Sequence, residues 1–248
     1  MNQQPSNMKN FTNLIIIDAS GSMESKKSEV IGGLKQLFKD IKKEATNDVN
    51  TTTIVVDFSD SSDFRVLVNS NNPKDLTEKL ASSYDTRGWT ALYDAIGKAF
   101  KLVPKKQDGV FVSILTDGDE NSSREYKAPD IKTLIEKKRA KKWGITFMGT
   151  TEEQLSKAQD LGISRGNMFS FADSGAGVNT AMKMSGVTRS AYYSTATSSV
   201  GLDGLDTDNL ITDIPLNTAS TTSTVNLSGK GVTLTSNGEI LLVDVQTT

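Results

Sequence analysis

From residue 14 onward, short apolar runs alternate with amphipathic stretches, and this alternation constrains the fold of the chain more than any other feature. "LIIIDAS" (14–20) reads as a buried central strand that ends in a carboxylate and a hydroxyl. "SEVIGGLKQLFKDIKKEA" (28–45) sets Val30, Ile31, Leu34, Leu37, Phe38, Ile41 and Ala45 at helical spacing, with lysines opposite. "TTTIVVDFS" and "FRVLVNS" are two strands joined by a short polar turn, which predicts a hairpin. "PKDLTEKLA" and "TALYDAIGKAFKLV" read as helices, and "GVFVSILTDGD" as a second buried strand. "APDIKTLIEKKRAKKW" opens a helix with proline near its start. "GITFMGT", "EEQLSKAQDLG", "NMFSFA" and "AGVNTAMKMSGVTRSAYY" continue as strand, helix, strand, helix. Strands separated by helices predict an α/β fold: a doubly wound, mostly parallel sheet with helices on both faces.

The character changes near residue 197. Residues 197–248 hold Lys230 against Asp203, Asp206, Asp208, Asp213, Glu239 and Asp244, a net of −5, which leaves +3 on the rest of a chain whose total is −2. The tail is rich in Ser, Thr and Gly and shows no helical period. Near its end Asn237-Gly238 lies between two apolar runs, a strong hairpin signal. The expected organisation is an arm at 1–10, an α/β domain at 11–196, an acidic linker at 197–229 and a small C-terminal β element, a hairpin, at 230–248. An isolated hairpin is marginal in water. Its apolar residues need covering by the chain's own domain or by a neighbouring subunit or scaffold, and the spacer before it favours attachment or self-association through 230–245.

Composition narrows the chemistry. The 248 residues contain no cysteine and no histidine, so disulfides, thiolate metal sites and serine–histidine triads are excluded. The small net charge gives no reason to expect nucleic acid or an anionic membrane as the main partner. No segment approaches the roughly 20 apolar residues of a membrane helix. "MNQQPSNMKNF" has no apolar core of the signal-peptide kind, so the expected location is cytoplasmic or virion-associated.

Ligands of open α/β sheets bind beyond the carboxyl ends of the strands. Asp18, Ser20 and Ser22 follow the first buried strand, Thr90 precedes a helix, and Asp117 ends a second buried strand. Two carboxylates and three hydroxyls are hard oxygen ligands, suited to Mg²⁺, Mn²⁺ or Ca²⁺. Taken singly, the serines and Thr90 could be helix caps and "TDGDEN" a simple turn. Together, "IIIDASGSM", "GWTALYDAIGKA" and "ILTDGDEN" resemble the three loops of a von Willebrand factor type A domain with its metal-ion-dependent adhesion site, over roughly residues 11–195. "WGITFMGTTEEQLSKAQDLGI" and "NMFSFADSGAGV" are similar to intracellular bacterial and phage members, including those linked to tellurite resistance.

The resemblance implies that Ser20 and Ser22 coordinate a cation through their hydroxyls. Thr90 joins directly or through water, and Asp18 and Asp117 bind it or hold its waters. Mg²⁺ or Mn²⁺ is expected ahead of Ca²⁺, with a protein partner whose Asp or Glu completes the coordination. Asp119 and Glu120 are either outer-shell groups or solvated turn residues; Trp89 either belongs to the binding surface or packs beneath the loop. A metal-dependent hydrolase is the rival reading. A haloacid-dehalogenase-type site needs a second acid where Ser20 stands, and no phosphate-binding glycine loop follows the first strand. The expectation is therefore a binding module and not an enzyme, either an adhesion module or a virion or assembly component anchored by its tail.

Overall fold

The computed structural model describes residues 8–199 and 201–210, together with the backbone of strands 224–227, 230–234 and 240–244. Six strands form one sheet: β1 (Lys9–Asp18), β2 (Val49–Phe58), β3 (Phe64–Ser70), β4 (Gly109–Leu115), β5 (Gly144–Gly149) and β6 (Met168–Ser170). Their order is β3-β2-β1-β4-β5-β6. All neighbours run parallel except β2 and β3, the expected hairpin, whose register shifts between Val55 and Val56.

Alternation along β1 distributes the core. Leu14 and Ile16 face α3 (Leu92–Leu102), α4 (Ala128–Arg139) and α5 (Glu152–Asp160). Ile15 and Ile17 face α1 (Lys27–Glu44), the short α2 (Glu78–Ala81) and α6 (Gly175–Thr197). Val30, Leu34, Phe38 and Ile41, four of the apolar positions spaced along α1, are buried against the sheet. Every residue of β4 is buried, as a strand covered on both faces must be.

Two expectations about elements are corrected. "PKDLTEKLA" is not one helix. A 3₁₀ turn at Pro73–Asp75 ends at Leu76, which is buried with ψ at 75°, outside the helical range. Thr77 then starts a separate turn, its hydroxyl accepting the Leu80 N–H at 3.2 Å. The second correction lies past residue 197, where a linker was expected. α6 runs to Thr197, and Leu205 and Leu210 are buried in a cluster with Phe11, Phe111 and Tyr192. Asn167 holds this segment from both sides, donating to the Thr207 carbonyl and accepting the Leu210 N–H. The main domain's packing therefore continues through Leu210.

Beyond it, β8 (Lys230–Leu234) and β9 (Ile240–Asp244) pair antiparallel, as a hairpin requires, and β7 (Thr224–Leu227) adds a third strand on β8. The turn residues Asn237 and Gly238 lie outside the described residues, as does the 1–7 portion of the N-terminal arm. Among the described residues, no helix is long and apolar enough to cross a membrane.

Candidate metal centre

The central strands β1 and β4 are neighbours, and the chain leaves them toward opposite faces: β1 leads into α1, β4 toward α4. That divergence opens a crevice at their carboxyl ends, the usual ligand position in such sheets. Asp18 is the last residue of β1, and Asp117 lies just past the end of β4.

A 3₁₀ turn (Gly21–Lys26) follows β1 with Ser20 at its N-cap, yet the Ser20 side chain caps nothing. Its Oγ lies 3.0 Å from Ser22 Oγ, and Ser22 Oγ donates to Asp117 Oδ1 at 2.6 Å. Thr90 precedes α3, whose N-cap is Ala91, and its hydroxyl makes no hydrogen bond among the described residues. So none of the three hydroxyls serves as a helix cap.

Gly118 closes the cluster. A Cβ placed on it would lie 2.9 Å from Thr90 Oγ1, 3.5 Å from Asp18 Oδ2 and 3.7 Å from Ser20 Oγ. Three oxygens from two segments thus face one small space beside Gly118 of a third, and Ser22 and Asp117 adjoin it through the hydrogen-bond chain. All five sequence-expected ligand positions come together. Their donor set is entirely hard oxygen, which fits Mg²⁺ or Mn²⁺.

The electrostatics suit a cation. Asp18 is fully buried. Burial pushes its carboxyl up to about 6, against the opposing pull of the Thr116 hydroxyl and the Ser20 N–H, while the neighbouring Asp117 pushes the same way as burial. Positive charge beside Asp18 relieves that penalty.

Sequence reasoning missed four supporting residues. Thr116 donates to Asp18 Oδ2 at 2.6 Å, and the Tyr84 hydroxyl donates to the Asp18 carbonyl at 2.7 Å. Asn121 fixes Thr90, accepting its N–H at 2.9 Å while its own N–H donates to the Thr90 carbonyl. Lys26 is buried, with its ammonium 2.6 Å from both Asp117 Oδ2 and Asp173 Oδ1. Only Thr116 carried a signal, as part of the "LTDG" strand end.

The three flanking residues separate. Trp89 stands on the surface, 67 % exposed, and does not pack beneath its loop. Asp119 pairs with Lys157 on α5, 3.1 Å distant. Glu120 is a structural tie: its carboxylate accepts from the N–H groups of Tyr93, Ser122 and Ser123 and from the Ser123 hydroxyl. With four donors on its carboxylate, Glu120 is not a freely solvated turn residue.

Residues 14–183 match the profile of the von Willebrand factor type A domain. The chain belongs to that family. No curated protein matches it by sequence. Among solved structures, proximal thread matrix protein 1 from the mussel byssus is similar with TM-score 0.54 and 20% identity, over 72% of this chain and 45% of that one. The pilus adhesin SpaC from Lactobacillus rhamnosus GG gives TM-score 0.56 at 16% identity, over 73% and 30%. The type V pili tip protein Mfa5 from Porphyromonas gingivalis has a von Willebrand domain similar at TM-score 0.56 and 9% identity, over 74% and 96%. These likenesses concern the fold. The chain spans less than half of the mussel protein and of SpaC.

Proposed function

We propose that this von Willebrand factor type A domain carries a metal-ion-dependent adhesion site and acts as a protein-binding module without enzymatic activity. Ser20, Ser22 and Thr90 supply hydroxyls, and Asp18 and Asp117 supply carboxylates, to one Mg²⁺ or Mn²⁺. The observation that carries this reading is the convergence of two non-capping hydroxyls, Thr90 and Ser20, and the buried Asp18 carboxylate on the face of Gly118, with the Ser22 hydroxyl joined to Ser20. Two carboxylates, one of them already paired with Lys26, leave a divalent ion only partly neutralised. Such an ion attracts a carboxylate from a partner protein.

The surface around the site suits a protein. Trp89 and Arg124 flank an open groove of about 650 Å³ that Asp60 and Ser61 also line. Trp and Arg are the side chains most often found to dominate protein interfaces. The stretches "WGITFMGTTEEQLSKAQDLGI" and "NMFSFADSGAGV" support a place among intracellular bacterial and phage members. The C-terminal strands 230–244 fit attachment to a scaffold or a second copy.

Titration calorimetry with Mg²⁺ tests the site. Wild type binds one ion with Kd on the order of 10⁻⁴ to 10⁻³ M, as sites with few charged ligands do. Asp18→Ala and Gly118→Ala, the latter filling the space the oxygens face, lose binding while staying folded. Equal binding by all three proteins overturns the reading. Partner capture from a lysate should disappear with chelator and weaken in Thr90→Ala; a complex indifferent to both assigns recognition to another surface.

A further inference from the structure

The amino-terminal end of the sheet, opposite the candidate metal centre, has its own concave site. The turn before β4 and the turn before β5 enclose a cavity of about 340 Å³ lined by Lys105, Lys138, Lys141, Pro104, Trp143 and Asp108, among others. We propose that this cavity binds a small polyphosphate anion, gripped by Lys105, Lys138 and Lys141.

The charge arrangement carries the argument. Several cations of the domain, Lys26, Arg65 and Arg87 among them, are neutralised by a carboxylate within 4 Å. Among the described residues, exposed lysines such as Lys42 and Lys43 stand singly without one, and Lys105, Lys138 and Lys141 also have none. What sets the three cavity lysines apart is that they line one concave site. The one carboxylate in the lining, Asp108, accepts the Asn10 N–H at 2.8 Å and stands against three lysines, so the cavity is net positive. Lys106 and Lys137, next in sequence to two of the lining lysines, add to the field.

Lys138 is the least comfortable of these cations. Its side chain is partly buried, with the ammonium 4.2 Å from the centre of the Trp143 ring. Burial, helped by the like charge of Lys141, holds its pKa below the ordinary lysine value. The aromatic face offsets part of that cost, and an anion in the cavity would offset the rest. A volume of about 340 Å³ lies at the small end of ligand pockets. The Trp143 ring already has Lys138 over it and Phe100 edge-on at 5.4 Å. Recognition therefore goes through charge and not through stacking of a base, and it favours a short chain of phosphates over a flat ring.

The experiment is calorimetric titration of the full chain with sodium tripolyphosphate, in chelator and at about 0.1 M ionic strength so that diffuse attraction is screened. One ligand binds wild type. Lys138→Met with Lys141→Met weakens it at least about tenfold, the effect of losing about 1.4 kcal/mol of contact. Lys42→Met with Lys43→Met, an exposed pair on α1, removes the same charge and leaves affinity nearly unchanged. Because Lys138 packs on Trp143, Lys105→Met with Lys141→Met, both on exposed turns, repeats the test if the first double variant melts early. A nucleoside triphosphate that binds as tripolyphosphate does, and fails in the same variants, identifies the phosphate chain as the group read. No binding, or equal losses in the cavity and α1 variants, overturns the proposal. So does a short DNA duplex that outcompetes tripolyphosphate independently of these lysines.

Discussion

Lys26 places its ammonium 2.6 Å from Asp117 Oδ2, with both side chains almost fully buried. It also donates to the Ser22 carbonyl at 3.2 Å, so it ties the turn after β1 to the loop after β4. A cation entering the cluster competes with this resident one for Asp117. Lys26→Met should therefore bind Mg²⁺ more tightly, by about tenfold, since a charge a few ångströms away at an interior effective dielectric is worth a few kcal/mol at most. The same variant should be less stable without metal, because Asp117 keeps a buried charge with no counterion. Calorimetry and melting with and without Mg²⁺ read the two effects, and unchanged affinity would make Lys26 a purely structural residue. The five expected ligand positions were legible in the sequence because each abuts a strand end or helix start in a recognisable local string. Lys26 was not: "ESKKSEV" looks like a solvated helix start, and only the tertiary approach of Asp117 and Asp173 buries it. Tyr84 acts through one long-range hydrogen bond and Asn121 through two, and these leave no periodic trace.

At the scale of elements, Asp94 joins α3 to the loop that follows β4. Buried near the start of α3, its carboxylate accepts the backbone N–H groups of Arg124, Glu125 and Tyr126 and the Ser61 hydroxyl at 2.5 to 2.9 Å. Burial opposes ionisation, but these donors outweigh it and hold the carboxyl below its usual range. A depressed folded-state pKa contributes stability that is present above the unfolded value near 3.8 and lost as pH falls through the folded one. Asp94→Asn should thus be destabilised at pH 7, and the gap to wild type should narrow toward pH 3 in urea melts. A gap independent of pH would show that the loop answers to shape and not to charge.

The strand and helix pattern was readable because apolar period and turn residues agree from β1 to α6. The end of the domain was not, since Leu205 and Leu210 are isolated apolar residues in an acidic, glycine-rich stretch, and their burial depends on Phe11 and Phe111 from distant strands. Truncation after Ala196 should cost about 3–6 kcal/mol from the two leucines alone, at 1.5–3 kcal/mol for each buried side chain. Truncation after Leu210 should leave the domain's melting temperature unchanged. Identical melting of the two truncated chains would contradict the packing of this segment.

Across the whole molecule, the candidate metal centre and the basic cavity lie at opposite ends of β4, a seven-residue strand and so about 23 Å long. The strand between them is buried throughout and packed from both faces, with little room for alternative arrangements through which one end could sense the other. The two ends should then contribute to stability independently. A ligand that binds only the folded chain stabilises it by RT ln(1 + [L]/Kd), so Mg²⁺ at about ten times its Kd adds about 1.4 kcal/mol. For a chain of this size that corresponds to a rise in Tm of about 3–6 °C. Asp18→Ala should abolish the rise, whereas Lys138→Met with Lys141→Met should preserve it in full. Loss of the Mg²⁺ response in the lysine variant would mean that β4 couples the two ends, and that the domain works as one responsive unit with its cation and its anion in equilibrium with each other.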